Sequence, residues 1–333
     1  MVRSIIDVVH VGSASRDIAL DDPRGWRLGG GVTYSALTTA RLGLRTAAII
    51  GVDAEAARAS ELDLLRDAGV QIRLVELASG PIFDNVETPT GRVQTCIEPG
   101  VALPIPTFPQ GWLAAPGWSV VPVAGEIRET WAAVVPRHAH VAVAWQGLLR
   151  ALRAGERVRR VPPRPSPILI RADVIGVSRH DVAADVPLRS LWSLLSPGAD
   201  LLITEGADGG LLVRLGADGP VELLRYRAPA STREIDPTGA GDTFLAALHA
   251  SGLRAAVEAG LDRGQPRAVI RGALDLQFAA AAGSLVVEHR GPSGVPTTAA
   301  VSARLTRDAG LDAVAPISPE DARHYWPEEP APA

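Results

Sequence analysis

Asp236-Pro237-Thr238-Gly239-Ala240-Gly241-Asp242 is the stretch that decides the fold, because it places two glycines and an alanine where a helix begins. An alanine-rich run with helical periodicity follows, from residue 240 to about residue 251. Main-chain N–H groups at the start of a helix lack intrahelical acceptors and lie at the positive end of its dipole. Because small side chains leave those donors open, the turn predicts an anion site that a phosphoryl oxygen can approach.

Asp242 lies in the first turn of the predicted helix, where the dipole favours an ionised carboxylate. A carboxylate beside an anion site can accept the proton of an attacking hydroxyl, as positioned bases do in phosphoryl transfer. A helix-capping aspartate is the alternative, and it would be preferred for an isolated G-x-G-D. The chain contains no lysine, which excludes a Gly-Lys-Ser/Thr phosphate loop and requires that any cationic side chain on a phosphate be arginine.

The composition is that of a folded protein, with 47% hydrophobic and 21% charged residues in a chain of 333. A formal net charge of -4 without a basic block argues against a nucleic-acid partner. One cysteine, Cys96, excludes internal disulfides and fits a reducing compartment. The chain start does not resemble a secretory signal, and no apolar run approaches the ~20 residues that span a bilayer. We therefore expect a cytoplasmic protein without a membrane partner.

Strand-like and helix-like patterns alternate in the first third of the chain, which predicts βαβ units and a parallel sheet. Strands are expected at residues 8–12 and 46–52, and helices at 34–42 and 55–68. Further buried strands are expected at 119–123, 141–144, 168–170 and 201–204, and a further helix at 271–287.

Two segments interrupt this alternation. Strand-like pieces at 71–77, 81–87 and 92–98, with a turn at 90–91, predict either a β lid or an antiparallel edge of the main sheet. The arginine- and proline-rich residues 150–167 are interpreted as an exposed loop, with a domain linker as the alternative.

The stretch 236–242 resembles the C-terminal signature of ribokinase-like, PfkB-type carbohydrate kinases. Other pieces between about residues 5 and 297 resemble the family in the same order. Gly29-Gly30-Gly31, followed by Tyr34-Ser35-Ala36, is similar to the family's substrate loop and helix. Residues 202–210 resemble the strand and turn beside the nucleotide, and residues 291–297 resemble the closing segment with the monovalent-cation loop.

The resemblance implies an α/β fold that is ribokinase-like and doubly wound, with a mostly parallel central sheet, helices on both faces and a small β lid. One kinase domain would span residues 1–326, with lid segments at about 13–28 and 81–104, before a disordered tail at 327–333. The implied activity is ATP-dependent phosphorylation of a hydroxyl on a small sugar, polyol or nucleoside. Mg²⁺ would accompany ATP, and the cation loop makes K⁺ a candidate as well.

The resemblance also implies a role for individual residues. Asp242 would be the base, and Gly239, Ala240 and Gly241 would form the anion hole. The substrate would contact Asp17, Gly30, Gly31, Tyr34, Asn85, Arg92 and Gln94. The nucleotide would contact Thr204, Gly206, Gly209 and Gly241. Asp181 would bind Mg²⁺ directly or through water, and Asp236 would lie beside the monovalent-cation loop.

Two positions depart from the family pattern. Tyr34 stands where many members carry a substrate-binding Asn, and Ser178-Arg179-His180-Asp181 stands in place of Asn-x-x-Glu. These departures motivate a second hypothesis, a sugar- or nucleotide-binding sensor of the same fold with weak or no catalysis. A dinucleotide-dependent oxidoreductase is disfavoured because no G-x-G-x-x-G follows the first strand.

Two further stretches place polar groups just beyond predicted strands, at residues 122–126 and 145–150. For Glu126 a charge at a helix N-terminus is the simpler interpretation, whereas for Arg150 a solvated side chain and a phosphate contact both remain open. Lid strands of this family sometimes pair between subunits, so an exposed lid edge would permit a homodimer.

Overall fold

The computed structural model describes residues 6–88, 91–258, 272–307, 314–318, 320–322 and 326. Its strands are β1 (Val8–Ser13), β2 (Arg16–Ile18), β3 (Trp26–Leu28), β4 (Thr46–Val52), β5 (Gln71–Glu76), β6 (Ile82–Thr88), β7 (Gly91–Glu98), β8 (Gly117–Val120), β9 (His140–Ala144), β10 (Arg150–Ala151), β11 (Glu156–Arg157), β12 (Arg159–Arg160), β13 (Val174–Ser178), β14 (Asp200–Thr204), β15 (Gly210–Gly216), β16 (Gly219–Tyr226) and β17 (Val314–Pro316). Its helices are α1 (Gly31–Arg41), α2 (Glu61–Asp67), α3 (Trp131–Val134), α4 (Pro167–Arg171), α5 (Leu188–Trp192), α6 (Ala240–Glu258), α7 (Ala273–Val286) and α8 (Thr298–Arg307). The predicted tail at 327–333 lies outside the described residues, as does residue 90 of the predicted turn.

The main sheet of the described residues has ten strands, in the order β5-β4-β1-β8-β9-β13-β14-β15-β16-β17. The strands from β5 to β14 run parallel, and the last three add an antiparallel edge. Every residue of β1 and β4 is buried, as expected for parallel strands that are covered on both faces. The predicted α/β fold with a mostly parallel central sheet is confirmed.

Helices and loops cover both faces of this sheet and enclose two hydrophobic cores. One core joins the sheet to α1, α2, α6 and α7 and includes Leu37 and Leu248. The other joins it to the short helices α3, α4 and α5 and includes Trp118, Trp131 and Trp145. Because crossover connections lie on both faces, the carboxyl ends of the parallel strands are left open at one edge.

A second sheet, the lid sheet, contains five strands in the order β11-β7-β6-β2-β3. β11 comes from residues 150–167, which were interpreted as an exposed loop. None of these residues is fully buried, in agreement with that interpretation, but three two-residue strands within the segment form sheet pairs. In the same segment β10 and β12 pair as a short ribbon, with Arg150 opposite Arg160. The strand-like piece at 71–77 does not join the lid, because β5 pairs in parallel with β4 at the edge of the main sheet.

One other prediction from a short pattern is wrong, and one strand was not predicted. The apolar run at 168–170 lies in α4, which has a proline in its first turn, rather than in a strand. The buried strand between β9 and β14 is β13, which the sequence analysis did not predict. A short apolar run cannot be assigned to helix or strand by periodicity alone. No helix among the described residues combines the length and apolarity needed to cross a bilayer.

Two buried histidines join α6 and α1 to the sheet. His10 Nε2 lies 2.9 Å from Thr39 Oγ1, and His249 Nδ1 lies 3.0 Å from Ser119 Oγ. The His249 ring lies 5.1 Å from that of His140. Burial lowers the pKa of His10 to about 3, and burial together with the neighbouring histidines lowers the pKa of His249 well below its usual value. Both rings are therefore neutral in the folded protein at neutral pH.

We predict that these histidines make the fold sensitive to acid. Their pKa values rise to about 6.5 on unfolding, so only the unfolded chain binds protons as the pH falls below that value, and the free energy of unfolding decreases. One such histidine lowers the free energy of unfolding by about 1.4 kcal/mol when the pH falls from 7.5 to 5.5. In urea titrations at both pH values, His249→Gln should lose less stability on acidification than wild type. His138→Gln, at an exposed position, is the control, and equal losses in all three proteins would contradict the prediction.

Candidate active site

The predicted anion site lies at the N-terminus of α6, on the carboxyl side of the parallel strands. Gly239 precedes the helix with a φ of 81°, a conformation that favours glycine. The N–H of Thr243 donates to Gly239 O at 2.8 Å, which leaves the N–H groups of Gly241 and Asp242 in the open first turn. Residues 237–242 all line a cavity of about 380 Å³. The positive end of α6 therefore opens into enclosed space.

Close packing of glycines brings the start of α1 against the start of α6. A Cβ atom at Gly31, the first residue of α1, would lie 2.7 Å from Asp242 Oδ1. A Cβ atom at Gly239 would lie 2.2 Å from Cδ1 of Tyr34. Only glycine fits at these two contacts. The loop at residues 29–31 and the turn at residues 236–242 therefore pack directly against each other.

Asp242 faces this cavity in an environment that favours its neutral form. Desolvation raises the pKa of Asp242 to about 6, the negative charge of Asp181 adds to the rise, and the positive charge of Arg150 opposes it. At neutral pH the carboxylate is still mostly ionised. Its pKa is then close enough to neutrality for it to accept a proton from a hydroxyl during a reaction.

Three polar side chains that follow β9 and β13 form a cluster beside Asp242. Gln146 Nε2 donates to Asp181 Oδ1 at 3.2 Å, and Arg150 Nη2 lies 3.8 Å from the same oxygen. Arg150 also donates to Val123 O at 3.3 Å and is only 10% exposed. The sequence analysis left a solvated Arg150 open, whereas the structure buries it in the cavity. Gln146 and Arg150 both lie in the strand-end stretch 145–150 of the sequence analysis, which left a phosphate contact open for Arg150 and gave Gln146 no specific role.

The acceptor end of the cavity is polar and lies under the lid. Asp17 accepts a hydrogen bond from Ser15 Oγ at 3.0 Å, and Gln94 Nε2 donates to Asn85 Oδ1 at 2.7 Å. The predicted substrate residues that line this cavity are Asp17, Gly30, Gly31, Tyr34, Asn85 and Gln94. Arg92 stands in β7, but its side chain lies outside the described residues. The lining therefore offers the carboxylate of Asp17, the amides of Asn85 and Gln94 and the guanidinium of Arg150 to a hydroxyl-rich molecule.

The donor end of the cavity is lined by a turn and by small side chains. Thr204, Gly206 and Gly209, which were predicted to contact the nucleotide, line this end of the cavity after β14. Arg225 holds this turn by donating to Gly210 O at 2.9 Å and to Asp208 O. Beyond the turn the wall consists of Ala228, Pro229, Ala230, Ala280, Gly283 and Ser284. Together with Ser231 and Glu234, these residues line a slot of mostly small side chains that continues from the anion site.

The predicted metal residues differ in their surroundings. Asp181 lines the cavity near Asp242, whereas Asp236 accepts hydrogen bonds from the N–H groups of Thr238 at 3.0 Å and Gly291 at 3.2 Å. Among the described residues, no three His, Cys, Asp or Glu side chains are grouped so that they could hold a metal ion. Mg²⁺ commonly binds through one or two carboxylates together with substrate phosphates, so Asp181 fits the ion if the donor supplies the other ligands.

Glu126 has a structural role that its position in the sequence did not indicate. It is buried, and its carboxylate accepts hydrogen bonds from the N–H groups of Ser13 at 2.9 Å, Val123 at 3.2 Å and Ala124 at 2.8 Å. Burial raises the pKa of Glu126 above its usual value. The side chain joins the end of β1 to the loop after β8, so the interpretation as a helix-terminal charge is wrong.

Residues 191–299 match the pfkB family carbohydrate kinase model. No curated protein sequence matches the chain significantly.

Solved structures resemble the chain over most of its length. Ribokinase from Giardia lamblia has a TM-score of 0.68 and 16% identity, over 92% of this chain and 100% of that one. A pyrophosphate-dependent kinase in the ribokinase family, complexed with a pyrophosphate analog and myo-inositol, has a TM-score of 0.61 and 22% identity, over 86% and 96%. Arabidopsis thaliana ribokinase complexed with ribose and ATP has a TM-score of 0.61 and 18% identity, over 90% and 98%. At these identities the likeness shows the fold.

We predict that Gly239→Ala destabilises the protein beyond the cost of its backbone conformation. Gly25 has a similar φ of 76° but has no atom within 4 Å of a built Cβ, so Gly25→Ala measures backbone strain alone. The contact with Tyr34 should cost Gly239→Ala a further ~1–3 kcal/mol of unfolding free energy in urea titrations. Equal stability of the two variants would show that the contact at Gly239 is not tight.

Proposed function

We propose that this chain, which is a PfkB-type carbohydrate kinase with the ribokinase fold, transfers the terminal phosphoryl group of ATP to a hydroxyl of a small neutral polyol or sugar. One observation carries the proposal. Asp242 and the N-terminus of α6 face the same cavity as Asp17 and the lid amides Asn85 and Gln94. A base, an anion site and hydroxyl-binding groups thus share one enclosed space.

In the proposed reaction the acceptor hydroxyl transfers its proton to Asp242. The acceptor oxygen forms a bond to the γ-phosphorus, and the bond from that phosphorus to the β–γ bridging oxygen breaks to release ADP. The N–H groups of Gly241 and Asp242 stabilise the charge on the transferring group, as preorganised donors do. Mg²⁺ would supply positive charge to the donor phosphates, with Asp181 as its protein ligand.

A neutral acceptor is supported by the charges at the acceptor end. Among the described side chains, Arg150 is the arginine that lines this part of the cavity, and it already lies 3.8 Å from Asp181 and donates to Val123 O. A phosphorylated acceptor would call for several unpaired cations. Asp17, by contrast, is suited to accept hydrogen bonds from hydroxyls. A solved relative of the same fold is complexed with myo-inositol, which agrees with a polyol.

ATP as donor is supported by the slot beyond the anion site. Its small side chains leave room for a nucleoside next to the transferring phosphate, as the family resemblance also implies. The solved relatives include one complexed with ATP and one complexed with a pyrophosphate analog. Turnover with each donor in parallel tests this part of the proposal, and pyrophosphate consumption without ATP consumption would contradict it.

We predict that Asp242→Asn lowers kcat by at least ~10²-fold, because the amide cannot accept the hydroxyl proton. Asp185→Asn, which makes the same change at an exposed position, should leave turnover unchanged. Both variants are assayed for ADP release with a panel of polyols and sugars. Near-normal turnover by Asp242→Asn with every acceptor would show that Asp242 is not the base.

We also predict the pH dependence. Because Asp242 acts as a base in its ionised form, kcat/KM should fall as the pH drops below about 6, its raised pKa. Arg150→Met removes the positive charge that lowers this pKa, so the acidic limb should move to higher pH. Asp181→Asn removes the negative charge that raises it, so the limb should move to lower pH. Limbs that stay in place in both variants would exclude Asp242 as the titrating group.

A further inference from the structure

A second cavity, of about 420 Å³, lies behind the acceptor end of the active-site cavity. It is bounded by the lid loop that contains Asp21 and by residues 235–238 and 290–291. Arg27 and Arg290 both form ion pairs with Asp21 at its rim. The wall of the second cavity is therefore polar, with more aspartates (Asp17, Asp21, Asp84 and Asp236) than arginines (Arg27 and Arg290).

A thin partition separates the two cavities. Asp17, Tyr34, Asn85, Pro237 and Thr238 line both of them, so these residues have one cavity on each side. Tyr34 is the largest side chain of the five and is only 2% exposed. It is the residue whose loss would join the two spaces.

Tyr34 is held in this place by its surroundings. It lies one helical turn after Gly31, the residue that contacts Asp242, and its ring packs against Gly239. The ring is therefore next to the position of the reacting hydroxyl and cannot move toward the catalytic turn. A substituent on the acceptor that pointed at the ring would have no space.

We infer that Tyr34 sets the size of the acceptor by closing the active-site cavity toward the second cavity. This inference rests on the proposed function, and it narrows the acceptor to a compact polyol or sugar ring without a bulky substituent on the side that faces Tyr34. Shortening the side chain joins the active-site cavity to the 420 Å³ behind it and leaves a ring-sized space. An acceptor that carries its own ring, such as a benzyl ether of the polyol, would fill that space.

The test compares wild type with Tyr34→Ala, Tyr34→Leu and Tyr34→Phe on an unsubstituted polyol and on its set of mono-O-benzyl ethers. In Tyr34→Ala and Tyr34→Leu, the ratio of kcat/KM for the best ether to that for the parent should rise at least about ten-fold. In Tyr34→Phe, which keeps the ring, the ratio should stay within about three-fold of wild type. Tyr34→Leu keeps apolar contact with Gly239 and serves if Tyr34→Ala does not fold.

Calorimetric binding of the same ligands is measured beside turnover. An active wild type with unchanged ratios in both shortened variants would overturn the inference and leave the proposed function intact. A wild type that phosphorylates no polyol or sugar would contradict the proposed function instead. In that case the calorimetric data test the inference. Ether binding gained by the shortened variants would support the inference, and no gain in ether binding would overturn it.

Discussion

The contact between the N-termini of α1 and α6 is the constraint on which the site depends. Gly31 packs on the carboxylate of Asp242, and Gly239 packs on the ring of Tyr34, so neither position leaves room for a Cβ atom. Two helix ends and Asp242, the proposed base, are thereby held within van der Waals contact at the carboxyl ends of the strands. In the proposed site, backbone N–H groups at the start of α6 would supply the donors of the anion hole, so no cationic side chain would be needed there.

In this lysine-free chain, charged side chains lie around the carboxylate of Asp242. Desolvation raises the pKa of Asp242, while Arg150 and Asp181 act on it with opposite signs. Gln146 fixes Asp181 through its side-chain amide, and Val123 O fixes Arg150. The basicity of the proposed base is therefore set by side chains from two different strand ends.

Several features could be predicted because the information is local. The strand at residues 46–52 was predicted with its observed bounds, since a short run without charged residues that contains Ile49, Ile50 and Val52 is typical of a buried parallel strand. The start of α6 was predicted from the small residues at 239–241 and is confirmed. The stretch 236–242, which resembles the PfkB-type signature, lies within residues 191–299 that match the pfkB family model. Local pattern failed at 168–170, where a short apolar run forms α4, and at β13, which was overlooked.

Other features depend on contacts between distant segments. β11 joins the lid because it pairs with β7, some sixty residues earlier, and no local pattern indicates that pairing. Gln146 and Asp181 meet because β9 and β13 are neighbours in the sheet, an order that the sequence does not display. The two cavities on either side of Tyr34 likewise exist only once the lid has folded over α1.

The sequence by itself determined the α/β fold, the anion turn and Asp242 as the candidate base, because glycine spacing and hydrophobic periodicity act over a few residues. Only the tertiary structure decided the surroundings of that base and the shape of the acceptor cavity. The pKa of a carboxylate and the space beside it are set by burial and by charges that the fold brings together from separate strands.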